Sequence, residues 1–318
     1  MLTKWSVSLT HPPPSPKVLQ DMNVMIEDRL GSLSRKLREK LGSVKSSRLY
    51  SLRVRRELKR VAETFAGPDK PVLIHTYGKV GSTAVHTAIS RLSGFGSFQT
   101  HVISEHGVRA GRRIHQQHGR DPIHLRCGEA LRLALESHPD KRVRIITLVR
   151  DPVARAVSDL FENASMLVPE RDIREMPLDE VVEVAAGHVS MSLDYTERWF
   201  DLELSGLLGF DVFARDFDPK EGFAIIREGR FELLIGKLED LSNKGAHFLG
   251  PFLGLGRDLP VPHSRVRSIT AEGVRYAEVR KSLRLPSEVL ERVYGSRFCR
   301  HFYAPSELEA FRRLWSRD

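Results

Sequence analysis

The sequence predicts an α/β protein, a parallel sheet flanked by helices with a P-loop-like first strand and a basic helical arm in front. Three observations predict it. Two runs, Val72 to Thr76 and Val143 to Val149, are apolar throughout rather than alternating, the pattern of strands buried on both faces. Each leads through a short loop into a helical pattern, giving strand, helix, strand, helix in order. Hydrophobic residues make up 41% of 318, enough for a large core, which excludes wholesale disorder. No apolar run approaches the ~18 to 20 residues of a membrane-spanning helix, so a soluble chain is expected.

The first ~18 residues carry Pro12, Pro13, Pro14 and Pro16 without a continuous apolar core, which predicts a flexible tail rather than a cleavable signal. Residues 19–66 form the arm. Met22, Met25, Ile26, Leu30, Leu33, Leu37, Leu41 and Val44 recur at three and four, a helical stripe weakened by Gly31, Gly42 and Ser46-Ser47. Residues 35 to 60 hold eleven basic and two acidic residues, so this stretch carries the whole net charge of +9 and the rest is balanced at 39 against 39. Basicity thus describes the arm, not the ligand of the main domain. Its stripe suits packing on the domain or a partner, or peripheral contact with an anionic membrane; without a reading motif, a nucleic-acid partner is not expected.

The turn Gly67-Pro68-Asp69-Lys70-Pro71 opens the main domain, residues 67–318. After the first strand come a helix from about Ser82 to Leu92, a short strand Phe98 to Ile103, helical segments between Val108 and Ser137, and the second apolar strand. Beyond Asp151-Pro152 helices dominate to about Leu208. Phe223–Ile226 and Phe231–Ile235, joined through Glu228-Gly229-Arg230, predict a hairpin or two short edge strands. Ser306 with Glu309 predicts a capping box for a closing helix that ends near Trp315. Cys127 and Cys299 cannot make a disulfide framework and lack zinc-ligand spacing, so a reducing, cytoplasmic setting is expected, with peripheral contact at the inner membrane surface open to the arm.

The most informative stretch is Ile74-His75-Thr76-Tyr77-Gly78-Lys79-Val80-Gly81-Ser82-Thr83, a strand running through a loop into a helix. Such a junction points backbone N–H groups and a positive helix end at one spot, a place for phosphate or sulfate. An ordinary turn with Ser82 or Thr83 as N-cap is the plainer alternative. A nucleoside-triphosphate loop needs Lys directly before Ser or Thr; here Lys79 precedes Gly81, and Val149 is followed by Arg150 rather than a metal-binding carboxylate. A nucleoside-triphosphate-dependent kinase is therefore the less favoured alternative, beside a non-catalytic anion-binding or membrane-surface module. The second constellation is Arg150-Asp151-Pro152 at a strand end, followed by Arg155, Ser158 and Asp159 on the next helix. Arg150 can fork a phosphate, and Arg155 and Asp159 at i,i+4 read as a surface ion pair.

Together these segments resemble the paired phosphate motifs of sulfotransferases that use 3′-phosphoadenosine 5′-phosphosulfate (PAPS). The run from Arg150 to Asp159 is similar to carbohydrate and heparan-type members, and the Tyr77–Ser82 loop resembles a bacterial capsular polysaccharide synthesis branch. The resemblance is strongest over residues 72 to 165. It continues more weakly in Leu233–Leu241, Phe248–Gly250, Arg300–Tyr303 and the helix from Phe311 to Trp315. The resemblance implies a sulfotransferase-like domain that transfers a sulfuryl group from PAPS to a hydroxyl, with a saccharide as acceptor and no metal. It implies that Gly81, Ser82 and Thr83 hold the 5′-phosphate, Lys79 sits at the sulfuryl group, and Arg150 and Ser158 bind the 3′-phosphate. It places His101 as the base, with Glu105 and His106 as alternatives. The usual proline before the lysine is replaced by Tyr77-Gly78, and the Arg-Lys-Gly stretch of cytosolic members is absent, with Arg265 or Arg267 as substitutes.

Overall fold

In the computed structural model, residues 49–117, 122–262 and 271–316 are described. The stripe from Met22 to Val44, and Arg265 and Arg267, lie outside them. The elements in chain order are α1 (49–66), β1 (Lys70–His75), α2 (Ser82–Ile89), β2 (Phe95–Thr100), α3 (Glu105–Gln117), α4 (Ile123–Ser137), β3 (Val143–Val149), α5 (Pro152–Glu162), α6 (Ala164–Leu167) and α7 (Leu178–Trp199). A π-helical turn, Phe200–Ser205, leads to α8 (Gly206–Leu208), β4 (Phe223–Glu228), β5 (Phe231–Lys237), α9 (Leu238–Leu241) and α10 (Gly245–Leu253). The chain closes with α11 (Ala271–Ser282), α12 (Ser287–Tyr294), α13 (Arg297–Phe302) and α14 (Pro305–Trp315).

Five strands form one sheet in the order β2-β1-β3-β5-β4. β1 pairs in parallel with β2 and β3, and β3 in parallel with β5, while β4 returns antiparallel on β5. The sheet is therefore mixed, not wholly parallel. The two short segments do form a hairpin, but only β4 is an edge; β5 is interior, which accounts for the full burial of Leu233, Leu234 and Ile235. Val72, Leu73, Ile74, Ile145, Ile146, Leu148 and Val149 are equally buried, as expected for strands covered on both faces. In the compact unit Arg56–Asp318, the last turns of α1 join this core through Val61 and Phe65, and Arg60 lies 4.3 Å over the Phe98 ring and donates to the Ser97 carbonyl at 2.7 Å.

Three local expectations are corrected. β2 runs Phe95–Thr100, three residues earlier than Phe98–Ile103, because its pairing with β1 begins at Lys70↔Phe95 and stops at His75↔Thr100. α2 ends at Ile89 rather than Leu92, where Leu92 N–H turns back to the Ile89 carbonyl in a tighter bend. α14 is capped two residues before the expected box, at Ala304 rather than Ser306: Glu307, not Glu309, reaches back to the Ala304 N–H at 2.8 Å, and its other oxygen takes Lys237 Nζ at 2.6 Å.

The consequence for function is geometric. β1, β2, β3 and β5 all end on the same edge of the sheet; the connection after β1 leads to β2 on one side, and the connection after β2 returns across β1 to β3 on the other. Ligands of open α/β sheets bind in the crevice at such a switch point. The Thr76–Gly81 loop, His101, Arg150 and Leu238 are the residues that follow those four strand ends.

Candidate active site at the carboxyl edge of the sheet

The loop from Thr76 to Gly81 is set by backbone geometry. Gly78, Lys79 and Gly81 all have positive φ, 88°, 62° and 84°, and Lys79 is the one non-glycine residue in that region among the described residues. The φ of 84° at Gly81 is one that L side chains rarely adopt, and a side chain there would meet Leu238 Cδ1 at 2.5 Å, so the Leu238 side chain would also have to shift. Gly81 is the N-cap of α2 and no side chain caps that end, which removes the plainer expectation of Ser82 or Thr83 as N-cap. The first-turn N–H groups of α2 therefore lack a side-chain acceptor and point from the helix end.

Ser82 and Thr83 are tied instead to β2. Gln99 Nε2 donates to Ser82 Oγ at 2.9 Å and to Thr83 Oγ1 at 3.3 Å. Each hydroxyl accepts from the amide and keeps its own proton to donate, the polarity an anion requires. Lys79 Nζ lies 2.8 Å from Glu162 Oε2 at the end of α5, and Ser158, half-buried one turn earlier at i,i+4, shares that helix face. Glu162 also lines a cavity of about 460 Å³ with Phe161, Ser165, Val168, Arg171 and Arg174.

Arg150 enters the site differently from a simple fork. Its Nη1 donates to the Lys79 carbonyl at 2.9 Å and its Nη2 to Tyr276 Oη at 3.3 Å, so it props the strained backbone of Lys79. Asp151 beside it is buried and caps α5, accepting from Val153 and Ala154 N–H at 3.2 Å, from Tyr294 Oη at 2.8 Å and from Trp315 Nε1 at 2.9 Å. Arg155 and Asp159 are not a surface pair. Arg155 is 2% exposed, donates to Ser192 Oγ at 2.9 Å, and lies 5.6 Å over both Tyr77 and Tyr195, with Asp159 at 3.6 Å. Asp159 in turn meets His188 Nε2 at 2.9 Å.

His101 follows β2 directly. Its Nδ1 is 2.7 Å from the Thr76 carbonyl, which can only accept, so Nδ1 carries the proton and Nε2 keeps its lone pair. The ring lies against the loop: a Cβ on Gly78 would be 3.7 Å from its Cε1. Burial, opposed by the Thr76 bond and reinforced by His75, Lys79 and Arg155, holds its pKa below the ordinary histidine value. His101 is thus both bonded to backbone and placed at the loop. Glu105 and His106 lie on the exposed first turn of α3, where Glu105 pairs with Arg109.

Lys79, Gly81, Ser82, Thr83, Arg150 and His101 are brought together at one edge, with Ser158 on the neighbouring helix face. Gln99, Glu162, Tyr276, Trp199 and Glu203 complete the surroundings and were not singled out by the sequence. Gln99 had a signal, since it shares parity with His101 along the strand. The others arrive from distant helices. Among the described residues no group of three His, Cys, Asp or Glu stands close enough to hold a metal ion. Both cysteines are free, buried thiols whose pKa is pushed up to about 12, chiefly by burial. No helix among the described residues is long and apolar enough to cross a membrane.

One family profile, described as "Putative capsular polysaccharide synthesis protein", matches residues 183–304. No curated protein and no solved structure matches the chain. The matched segment excludes the Lys79 loop and Arg150 and covers the region where the resemblance was weaker. It includes Trp199, whose ring packs on Tyr77 of the loop and whose Nε1 donates to the His101 carbonyl, together with Glu203, β4, β5 and Tyr303. The chain is thus similar, over that segment, to a family described as putative capsular polysaccharide synthesis proteins, and its architecture is an enzyme-like α/β fold.

Proposed function

We propose that the protein is a PAPS-dependent sulfotransferase acting on a hydroxyl of a saccharide. The observation that carries this reading is the junction at the β1/β3 switch point, where Lys79 stands in a left-handed turn beside the open end of α2 and two hydroxyls polarised by Gln99. In this reading Gly81, Ser82 and Thr83 hold the donor's 5′-phosphate, and the residues fit that group: N–H and O–H donors converge with no carboxylate among them. Arg150 and Ser158 take the 3′-phosphate. Arg150 fits on condition that its Nη2 exchanges the Tyr276 hydroxyl for a phosphate oxygen, since Nη1 stays on the Lys79 carbonyl.

The donor, when bound, supplies an activated sulfuryl group on a phosphate leaving group. Lys79 Nζ leaves Glu162 and stabilises the negative charge that grows on the bridging oxygen as the S–O bond breaks and the acceptor oxygen bonds to sulfur. His101 Nε2 accepts the acceptor's proton, and adenosine 3′,5′-bisphosphate leaves. The saccharide assignment rests on the family similarity, and the cavity beside Glu162 is the place we assign to the acceptor.

Thermal shift with adenosine 3′,5′-bisphosphate, without magnesium, tests the donor assignment, and radiolabelled PAPS with a panel of saccharides tests the acceptor. Stabilisation by the bisphosphate and not by ATP is expected. Equal stabilisation by ATP, or an absolute magnesium requirement, would favour the kinase reading instead.

A further inference from the structure

Glu203 has no role in the reaction as written, yet it is one of the most heavily bonded carboxylates in the structure. It is 2% exposed and lies in the π-helical turn after α7, nearly a hundred residues from its partners. Its Oε2 accepts from Ile103 N–H at 2.8 Å and Ser104 N–H at 3.0 Å, its Oε1 accepts from Ser104 Oγ at 2.5 Å, and His75 Nε2 faces it at 3.4 Å. A buried carboxylate costs several kcal/mol unless so compensated. Ser104 Oγ in turn accepts from Gly107 N–H at 3.0 Å, which places the charge at the positive end of α3. A side chain at Gly107 would come within 2.3 Å of Glu203 Oε1, so α3 carries glycine where the carboxylate arrives.

Four residues earlier, Trp199 Nε1 donates to the His101 carbonyl at 2.6 Å, and its ring packs 4.8 Å from His75. One helical junction thus grips the segment His101–Ser104 at a carbonyl and two N–H groups. π-helical turns re-aim side chains in this way and are frequent at functional sites. We propose that the Trp199–Glu203 junction is the positioning device for His101: it fixes the backbone so that the imidazole keeps its Nδ1 proton on Thr76 and presents Nε2 to the acceptor. The inference rests on the sulfotransferase reading for His101's task, but not for the geometry it predicts.

The test uses the full chain with Glu203→Gln and Trp199→Phe, each alone and combined with His101→Ala. Nitrogen NMR of labelled histidine reads the His101 tautomer directly; a single Nδ1–H form is expected in the wild type and a mixture of both tautomers in each variant. Turnover should fall about 10- to 100-fold, as for misplacement of a reacting group, while adenosine 3′,5′-bisphosphate affinity stays within about threefold. In the His101→Ala background neither change should cost more, because the effect passes through a group already gone. An unaltered His101 tautomer in the folded variants, or an equal loss without His101, would overturn the proposal. Should Glu203→Gln fail to fold, Trp199→Phe, which removes one N–H donor, gives the same readouts. If the wild type neither binds the bisphosphate nor transfers sulfuryl, the functional reading fails while the tautomer still decides the positioning role.

Discussion

Lys79 carries a strained backbone and the cation of the proposed mechanism at the same position. A left-handed conformation costs an L-residue ~1 to 2 kcal/mol, and here it is held by the Arg150 guanidinium on the Lys79 carbonyl. Lys79→Gly relieves that strain and Lys79→Ala does not, so urea unfolding should find the glycine variant more stable than the alanine variant by about 1 kcal/mol. Both should lose turnover by about 10² to 10³, the effect of one missing transition-state donor. Arg150→Ala removes the prop on the Lys79 carbonyl as well as the proposed phosphate ligand and should therefore lower bisphosphate affinity and turnover together, where a simple ligand would affect affinity alone. In the proposed role as base, His101 would act only when neutral. Since burial and the neighbouring cations lower its pKa, the acid limb of the turnover profile should lie below the unperturbed value of ~6.5, with activity lost as pH falls through it. His101→Gln should be slow by about 10² to 10⁴ across that range; a fully active Gln variant would move the assignment to another group.

The element that sets the site is the contact between the β1–α2 loop and the start of α9. Gly81→Ala meets both a positive φ of 84° and Leu238 Cδ1 at 2.5 Å, and should abolish bisphosphate-induced stabilisation. Adding Leu238→Ala restores the space but not the dihedral, so calorimetry should find at most partial recovery; full recovery would show that crowding alone requires the glycine. Much of this element was legible in the sequence, because glycine and the apolar runs of β1 and β3 are local signals, and β3 has the expected bounds. β2 was displaced by three residues because Gly96 and Ser97 look like a loop until β1 pairs with them. The interior position of β5 had no local signal, since an apolar segment of that length suits an edge or a centre equally. Glu203 and Trp199 were invisible for a different reason: their partners lie about a hundred residues away, and a π-helical turn leaves no periodicity to read. Arg155 and Asp159 show the reverse error, a helical spacing that predicts an exposed pair without knowing that Tyr77 and Tyr195 cover it.

At the scale of the whole molecule, charge and fold are separable. The excess of positive charge lies in residues 35–60, but the structural boundary falls inside that stretch, between Arg55 and Arg56: Arg60 is bonded to β2, and Val61 and Phe65 just beyond it are buried in the core of the main unit. Two truncations should therefore behave differently. Removing residues 1–48 takes away six of the eleven basic residues of the stretch and none of the described core, so bisphosphate-induced stabilisation should persist while binding to vesicles containing anionic lipid weakens. That vesicle binding should itself fall with salt, as screened electrostatics requires. Removing residues 1–60 also deletes the Arg60 contacts with Phe98 and the Ser97 carbonyl. A cation–π contact and a charged hydrogen bond are together worth ~2 to 4 kcal/mol, which for a unit of this size lowers Tm by several degrees at ~2 to 4 °C per kcal/mol. Differential scanning calorimetry of both truncations separates the roles. Loss of bisphosphate binding in a folded 1–48 deletion would instead make the arm part of the site, and unchanged vesicle binding would remove its charge from any role at a membrane.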